Sequence, residues 1–136
     1  MKNNLFKKEY IGILDGTLEN KSGTISAPIA RKDNSIIERC VDFNNGNKSV
    51  THYNLIKTNN RYSVVHFILE TGRTHQIRVH SAYIKHPIIG DTLYGNKSEL
   101  IYRQALHAYK ITFIHPITNQ ELFIESEIPE DMRIFF

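Results

Sequence analysis

Four side chains suited to holding an anion crowd one short stretch: Arg73, His75, Gln76 and Arg78, within Leu69-Glu70-Thr71-Gly72-Arg73-Thr74-His75-Gln76-Ile77-Arg78-Val79-His80. A guanidinium can contact a phosphate or a carboxylate through two parallel hydrogen bonds, and two of them stand close together here. Thr71, Gly72 and Thr74 are turn and helix-start residue types, so the chain reads as a strand running through a turn into a helix. A helix start offers unbonded N–H groups and the positive end of its dipole, which again favours anions. The same residues equally suit a polar helix start that caps itself and pairs with its neighbours, and residue types alone leave both readings open.

Other chemistry-bearing residues are more scattered. His75, His80 and His86 are spaced by five and six, which fits no usual zinc pattern, and helical side chains five apart diverge. His66, in an apolar run, reads as a core histidine with one hydrogen-bond partner. Lys7, Lys8, Arg31, Lys32, Lys48, Lys57 and Lys97 are cations that could meet phosphates or simply face solvent. Cys40 is the single cysteine, so no internal disulfide forms and a reducing, cytoplasmic compartment is expected.

The elements that must position these groups show in the patterning. Glu9 to Leu14 predicts a strand closed by the turn pair Asp15-Gly16, and Gly23 to Ile29 a second extended stretch ended by Pro28. Ser49–Lys57 and Arg61–Glu70 flank Thr58-Asn59-Asn60 as a hairpin, with Tyr53 and Tyr62 expected to pack across it. Both alternating sets of Val64–Leu69 are apolar, so that strand should be central and covered on two faces. His75–Ile84 predicts a helix ended ahead of Pro87, since the residue before a proline avoids helical geometry. Leu106–Ile114 and Glu121–Ser126 form a last strand pair. The chain is therefore expected to be α+β, with a mainly antiparallel sheet and few helices.

With 136 residues, 40% hydrophobic and 23% charged, the composition is that of one packed domain rather than a disordered chain. No apolar run is long enough to cross a bilayer, so no membrane association is expected, and the polar opening Met1–Glu9 lacks a signal-peptide core. The net charge of +3 is uneven: residues through Lys110 carry +7 and those from Ile111 onward −4. A basic body suits a polyanion such as nucleic acid, or is an ordinary basic surface.

Taken together, the Thr71–His80 stretch with His86-Pro87-Ile88-Ile89-Gly90-Asp91 and Tyr94-Gly95 resembles the closing signature of the RluA-like RNA pseudouridine synthases. Further pieces resemble the same family in the same order: Lys8-Glu9-Tyr10, Gly23 to Ile29, Val50-Thr51-His52-Tyr53, Leu106-His107-Ala108, His115-Pro116 and Ile128 to Met132. The resemblance runs from about Lys7 to Met132 and implies the C-terminal part of a catalytic domain whose mixed, largely antiparallel sheet carries the cleft across its middle.

The resemblance also implies an activity. Enzymes of this family isomerise uridine to pseudouridine within RNA, without metal or cofactor, after flipping the nucleotide from its stack. Tyr10 matches the tyrosine that stacks on the target base, and Arg78 the basic residue that pairs with the nucleophilic aspartate. Arg73, His75 and Gln76 at the helix start, with Lys8, Arg31 and Lys32 as nearby cations, are the RNA contacts expected from their chemistry. The family's aspartate lies in an H-R-L-D-R-like segment ahead of the tyrosine, and these residues contain none. Asp15, Asp33, Asp42, Asp91 and Asp131 lack that context, Asp91 reads as structural, and Arg78 is expected to face a site with no carboxylate. The chain is thus expected to be a single partial domain over residues 1–136, inactive alone. Its RNA is expected to be ribosomal, and no S4-like domain is visible. A non-catalytic RNA-binding module and a remnant without function are the alternatives. An uncovered strand edge should make the chain marginally stable, or drive it to dimerise or pair with a complementary segment.

Overall fold

The structure, a computed structural model, describes residues 6–136, so the first five residues of the polar opening lie outside the described part. In chain order the elements are β1 (Phe6–Asp15), β2 (Ser22–Ser26), β3 (Ile29–Arg31), β4 (Arg39–Val41), β5 (Val50–Thr58) and β6 (Tyr62–Leu69). They are followed by α1 (Gln76–Tyr83), β7 (Leu106–Ile114), β8 (Glu121–Glu125) and α2 (Glu130–Arg133). Six strands form one antiparallel sheet in the order β2-β5-β6-β1-β7-β8, and β3 and β4 pair separately as a small ribbon.

The doubly apolar run becomes an inner strand, as its pattern demands. Residue β6 Val64 and its neighbour Val65 point to opposite faces, and both are fully buried. Ile13 and Leu14 repeat this on the adjacent β1, so the sheet is covered on both sides. The cover comes from α1, the loop through Ile88, Ile101 and Ala105, and the chain end, where Phe135 packs edge-on against Tyr62 at 5.0 Å. The β5–β6 turn is held by Asn59, whose side-chain oxygen accepts from the amides of Arg61 and Tyr62.

Several local expectations need correction. The expected strand end at Pro28 is not among them: the chain leaves the sheet after Ser26, and Ile29 opens the ribbon, because Pro28 cannot donate to a ladder. Tyr53 and Tyr62 do not pack together. Tyr53 pairs with Phe67 and its ring lies on Gly23, whereas Tyr62 sits at the turn end of β6 against Phe135. The helix is capped by no threonine; His75 takes the N-cap position in the left-handed conformation, φ 57°, with no side-chain cap. No helix among the described residues is long and apolar enough to cross a membrane.

Candidate active site

The strand β1 places Tyr10 beside a β-bulge, since its pairing with β7 slips between Glu9 and Tyr10. A bulge of this kind bends the strand and re-aims a side chain. Half-buried Tyr10 then lines a cleft of about 420 Å³ together with Lys8, Arg73, His75, Gln76 and Arg78. Six of the eight residues expected at catalysis or at an RNA contact thus meet there, all but Arg31 and Lys32. Leu69, Ile77 and Leu106 supply its apolar wall, and no acidic residue lines it.

Although no acidic residue lines the cleft, Arg78 does pair with a carboxylate, that of Asp91, which is not part of the cleft lining. Its Nε donates to Asp91 Oδ2 at 2.8 Å and its Nη2 to Asp91 Oδ1 at 2.9 Å. Asp91 is fully buried, and its Oδ1 also accepts from the amides of Leu93 and Tyr94. Burial opposes ionisation of Asp91, but the Arg78 hydrogen bonds, those two amides and the Arg78 charge outweigh it and hold the carboxyl below its ordinary range. Hydrogen bonding to Asp91 in turn raises the Arg78 pKa against the effect of burial. The sequence hides this pair because the partners are 13 residues apart on a helix and a loop. The guanidinium meets Asp91 through its Nε–Nη2 edge, and among the described residues its Nη1 makes no hydrogen bond.

Tyr94 ties this pair to the rest of the cleft. Its ring lies 5.1 Å from the Arg78 guanidinium carbon, within cation–π range. Its hydroxyl accepts from the Arg39 amide at 2.9 Å and stands 2.7 Å from His75 Nδ1. Burial raises the Tyr94 pKa, which keeps the phenol protonated near neutrality. Burial, then the charges of Arg78 and Arg39, lower the His75 pKa, so that imidazole is neutral. The Arg39 amide donates to the Tyr94 hydroxyl, whose bond to His75 Nδ1 takes its direction from the imidazole tautomer.

Gln76, expected as an RNA contact, is buried and fully engaged inside the chain. Its Oε1 accepts from Thr71 Oγ1 and the Arg73 amide, and its Nε2 donates to Val50 O and Thr51 Oγ1. The buried His80 continues the chain of bonds, between Thr51 Oγ1 and Ala27 O at 2.8 Å each. These two residues fasten the turn before α1 to β5, and so place Arg73, His75 and Arg78. Arg31 lies outside the cleft, in an adjoining one, and Lys32 lies in neither and pairs with Glu38 at 3.0 Å. His66 bonds Glu9 at 2.8 Å on β1. Sequence reasoning gave no role to Arg39, although Tyr94 was visible in the Tyr94-Gly95 pair.

The profile of a family described as RNA pseudouridylate synthase matches residues 1–83. A Bacillus subtilis (strain 168) protein named uncharacterized RNA pseudouridine synthase YjbO is 46% identical over 131 residues, covering 96% of this chain and 46% of that protein. The ribosomal large subunit pseudouridine synthase D of Zymomonas mobilis is 37% identical over 139 residues, covering 95% of this chain and 44% of its own. The solved structure of human RNA pseudouridylate synthase domain containing 1 superposes with a TM-score of 0.79 at 27% identity, covering 93% of this chain and 56% of that one. The chain therefore spans less than half the length of these curated relatives.

Proposed function

The chain belongs to the RNA pseudouridylate synthase family, and from that premise we propose that it forms the C-terminal part of a catalytic domain that converts uridine to pseudouridine in RNA. The observation that carries this reading is the meeting of Tyr10 and Arg78 in one cleft that no acidic residue lines. Tyr10 offers a ring face for a flipped uracil, and Lys8 and Arg73 at the rim attract the phosphates on either side. Arg78, held by Asp91, keeps its Nη1 end for the carboxylate of a nucleophilic aspartate supplied by a segment outside these residues. A guanidinium there holds that carboxylate ionised and oriented.

In this scheme the aspartate starts the cleavage between ribose and uracil, the base turns against Tyr10, and carbon 5 bonds to the sugar and then loses its proton. Ribosomal RNA is the proposed substrate and the cytoplasm the proposed location, the former from the name of the Zymomonas relative. Any association with a second copy or a complementary segment would use the outer edge at β8, where Phe123 and Ile124 are exposed.

Tritium release from RNA carrying carbon-5-labelled uridine tests the scheme. The 136 residues alone should release nothing, and joining them to an aspartate-bearing N-terminal segment should restore release. Tyr10→Phe and Arg78→Met in the joined protein should each abolish most of it. Release by the chain alone, or full release by the Arg78→Met protein, would refute the assignment. RNA binding without release by the joined protein would favour a binding module instead.

A further inference from the structure

Next to the Tyr10–Arg78 cleft lies a second concavity of about 350 Å³, where three arginines converge: Arg31, Arg39 and Arg73. Arg31 and Arg39 are direct cross-strand partners in the β3–β4 ribbon. Like charges placed opposite one another in a ladder repel, and nothing acidic lines this concavity to offset them. Among the described residues none of the three forms an ion pair; their hydrogen bonds go to backbone carbonyls, from Arg39 to Ile36 and Glu38 and from Arg73 to Lys48. Lys32, by contrast, is neutralised by Glu38 just outside. Asn47 and Thr74 add neutral polar groups to the same wall.

The two concavities are continuous in lining. Gly72 and Arg73 border both. A Cβ built on Gly72 would meet only the Lys8 ammonium, at 3.6 Å, so the backbone there leaves the way between them open. They are also joined through bonds, because the Arg39 amide donates to Tyr94, whose ring lies on Arg78.

We propose that the Arg31–Arg39–Arg73 cleft binds a single phosphodiester of the RNA strand, the link next to the nucleotide held between Tyr10 and Arg78. This rests on the RNA reading of the neighbouring cleft and adds a defined anchoring site to it. A phosphate relieves the repulsion between Arg31 and Arg39 and offers oxygens enough for three guanidiniums. Filling the site fixes the ribbon, and through the Arg39 amide it fixes the Tyr94 hydroxyl that orients His75. Arg39 is then a positioning residue as well as a phosphate ligand, the first role through its backbone and the second through its side chain.

The test is the salt dependence of binding by the intact chain to a fluorescent single-stranded RNA containing uridine, followed by anisotropy. Each phosphate neutralised on a single strand contributes about 0.7 to the slope of log affinity against log salt. If the three arginines share one phosphate, the triple Arg→Gln variant should lose about 0.7 of slope. Each single variant should lose less than a third of what three independent contacts would give. A loss of about 2 would mean three separate surface contacts, and no loss would mean no contact; either overturns the proposal. Arg61→Gln, in the β5–β6 turn, is the control and should leave the slope unchanged.

Replacing one RNA phosphate at a time by a neutral methylphosphonate should erase the difference between parent and triple variant at one position only. A difference that persists at every position counts against a single site. Inorganic phosphate is the rival occupant: if it binds the parent but not the triple variant, while the RNA slope is the same for both, the cleft holds free phosphate and the proposal fails. Failure of the catalytic reading looks different. The slope shift would be present while the joined protein released no tritium; tritium release with an unshifted slope would remove this site alone.

Discussion

Replacing Asp91 by Asn removes the charge that holds Arg78 while keeping nearly the same shape. The carboxylate is fully buried and receives four hydrogen bonds, two from Arg78 and two from the Leu93 and Tyr94 amides. Asn can still accept from the two amides, but its NH₂ group opposes one guanidinium N–H. Removing one partner of a buried pair costs about 3–5 kcal/mol, because the other charge is left buried and unmatched. The Arg78 side chain is 15% exposed where it borders the cleft, so water relieves part of this and the low end, about 3 kcal/mol, is expected. The assay is urea unfolding followed by far-ultraviolet circular dichroism, since the chain has no tryptophan. A drop in Tm of about 10 °C should accompany the change for a domain of this size. Combining it with Arg78→Met should cost at least about 1 kcal/mol less than the sum of the two single changes, because the second removes the stranded charge. A single-variant cost under about 1 kcal/mol, or strict additivity, would refute the claim that Asp91 is the anchor of Arg78.

Two further outcomes follow from the same structure. Burial lowers the pKa of both His80 and His75, so below about pH 6.5 the unfolded chain takes up protons that the folded chain resists. Stability should therefore be level above that pH and fall as pH drops from 6.5 toward the folded values. The slope should be at most about 1.4 kcal/mol per pH unit for each histidine, with the fully buried His80 as the larger share; equal stability at pH 7.5 and 5.5 would contradict it. Gly90 has φ +81°, and a Cβ there would lie 2.1 Å from the Arg103 carbonyl oxygen. Gly90→Ala should cost about 3 kcal/mol or more, combining left-handed strain of about 1–2 kcal/mol with a backbone collision, and a thermal melt within about 2 °C of the parent would refute it.

What the sequence made legible was local. The double alternation of Val64–Leu69 placed β6 inside the sheet because a strand apolar on both faces has nowhere else to go. The turn at Asn59 and the change of period after Gly72 were also local signals. What stayed hidden depends on chain distance. Arg78 meets Asp91 only because the loop after Pro87 folds back against α1, and nothing in either residue's neighbours encodes that. Tyr53 and Tyr62 looked like cross-strand partners by type, but the register across the hairpin, which slips between Leu55 and Lys57, puts them well apart along the strands. The β3–β4 ribbon and α2 are only three and four residues long, too short for periodicity to reveal.

The helix itself explains why residue types alone left two readings open for Arg73 to Arg78: both readings hold, for different residues. Gln76 and His80 stand four apart, on the face that α1 turns toward β5, and there they cap and fasten the chain as a self-satisfied helix start would. His75 and Arg78 stand three apart on the cleft side, where both line the cavity and, among the described residues, the Arg78 Nη1 makes no hydrogen bond. One turn of helix therefore divides a single polar cluster into an anchor and a working edge. The anchor has to be complete for the edge to be useful, since a guanidinium misplaced by a loosened turn would no longer align with both Asp91 and an incoming anion. Residues of the motif that never touch a ligand are for that reason as much a part of the site as those that do.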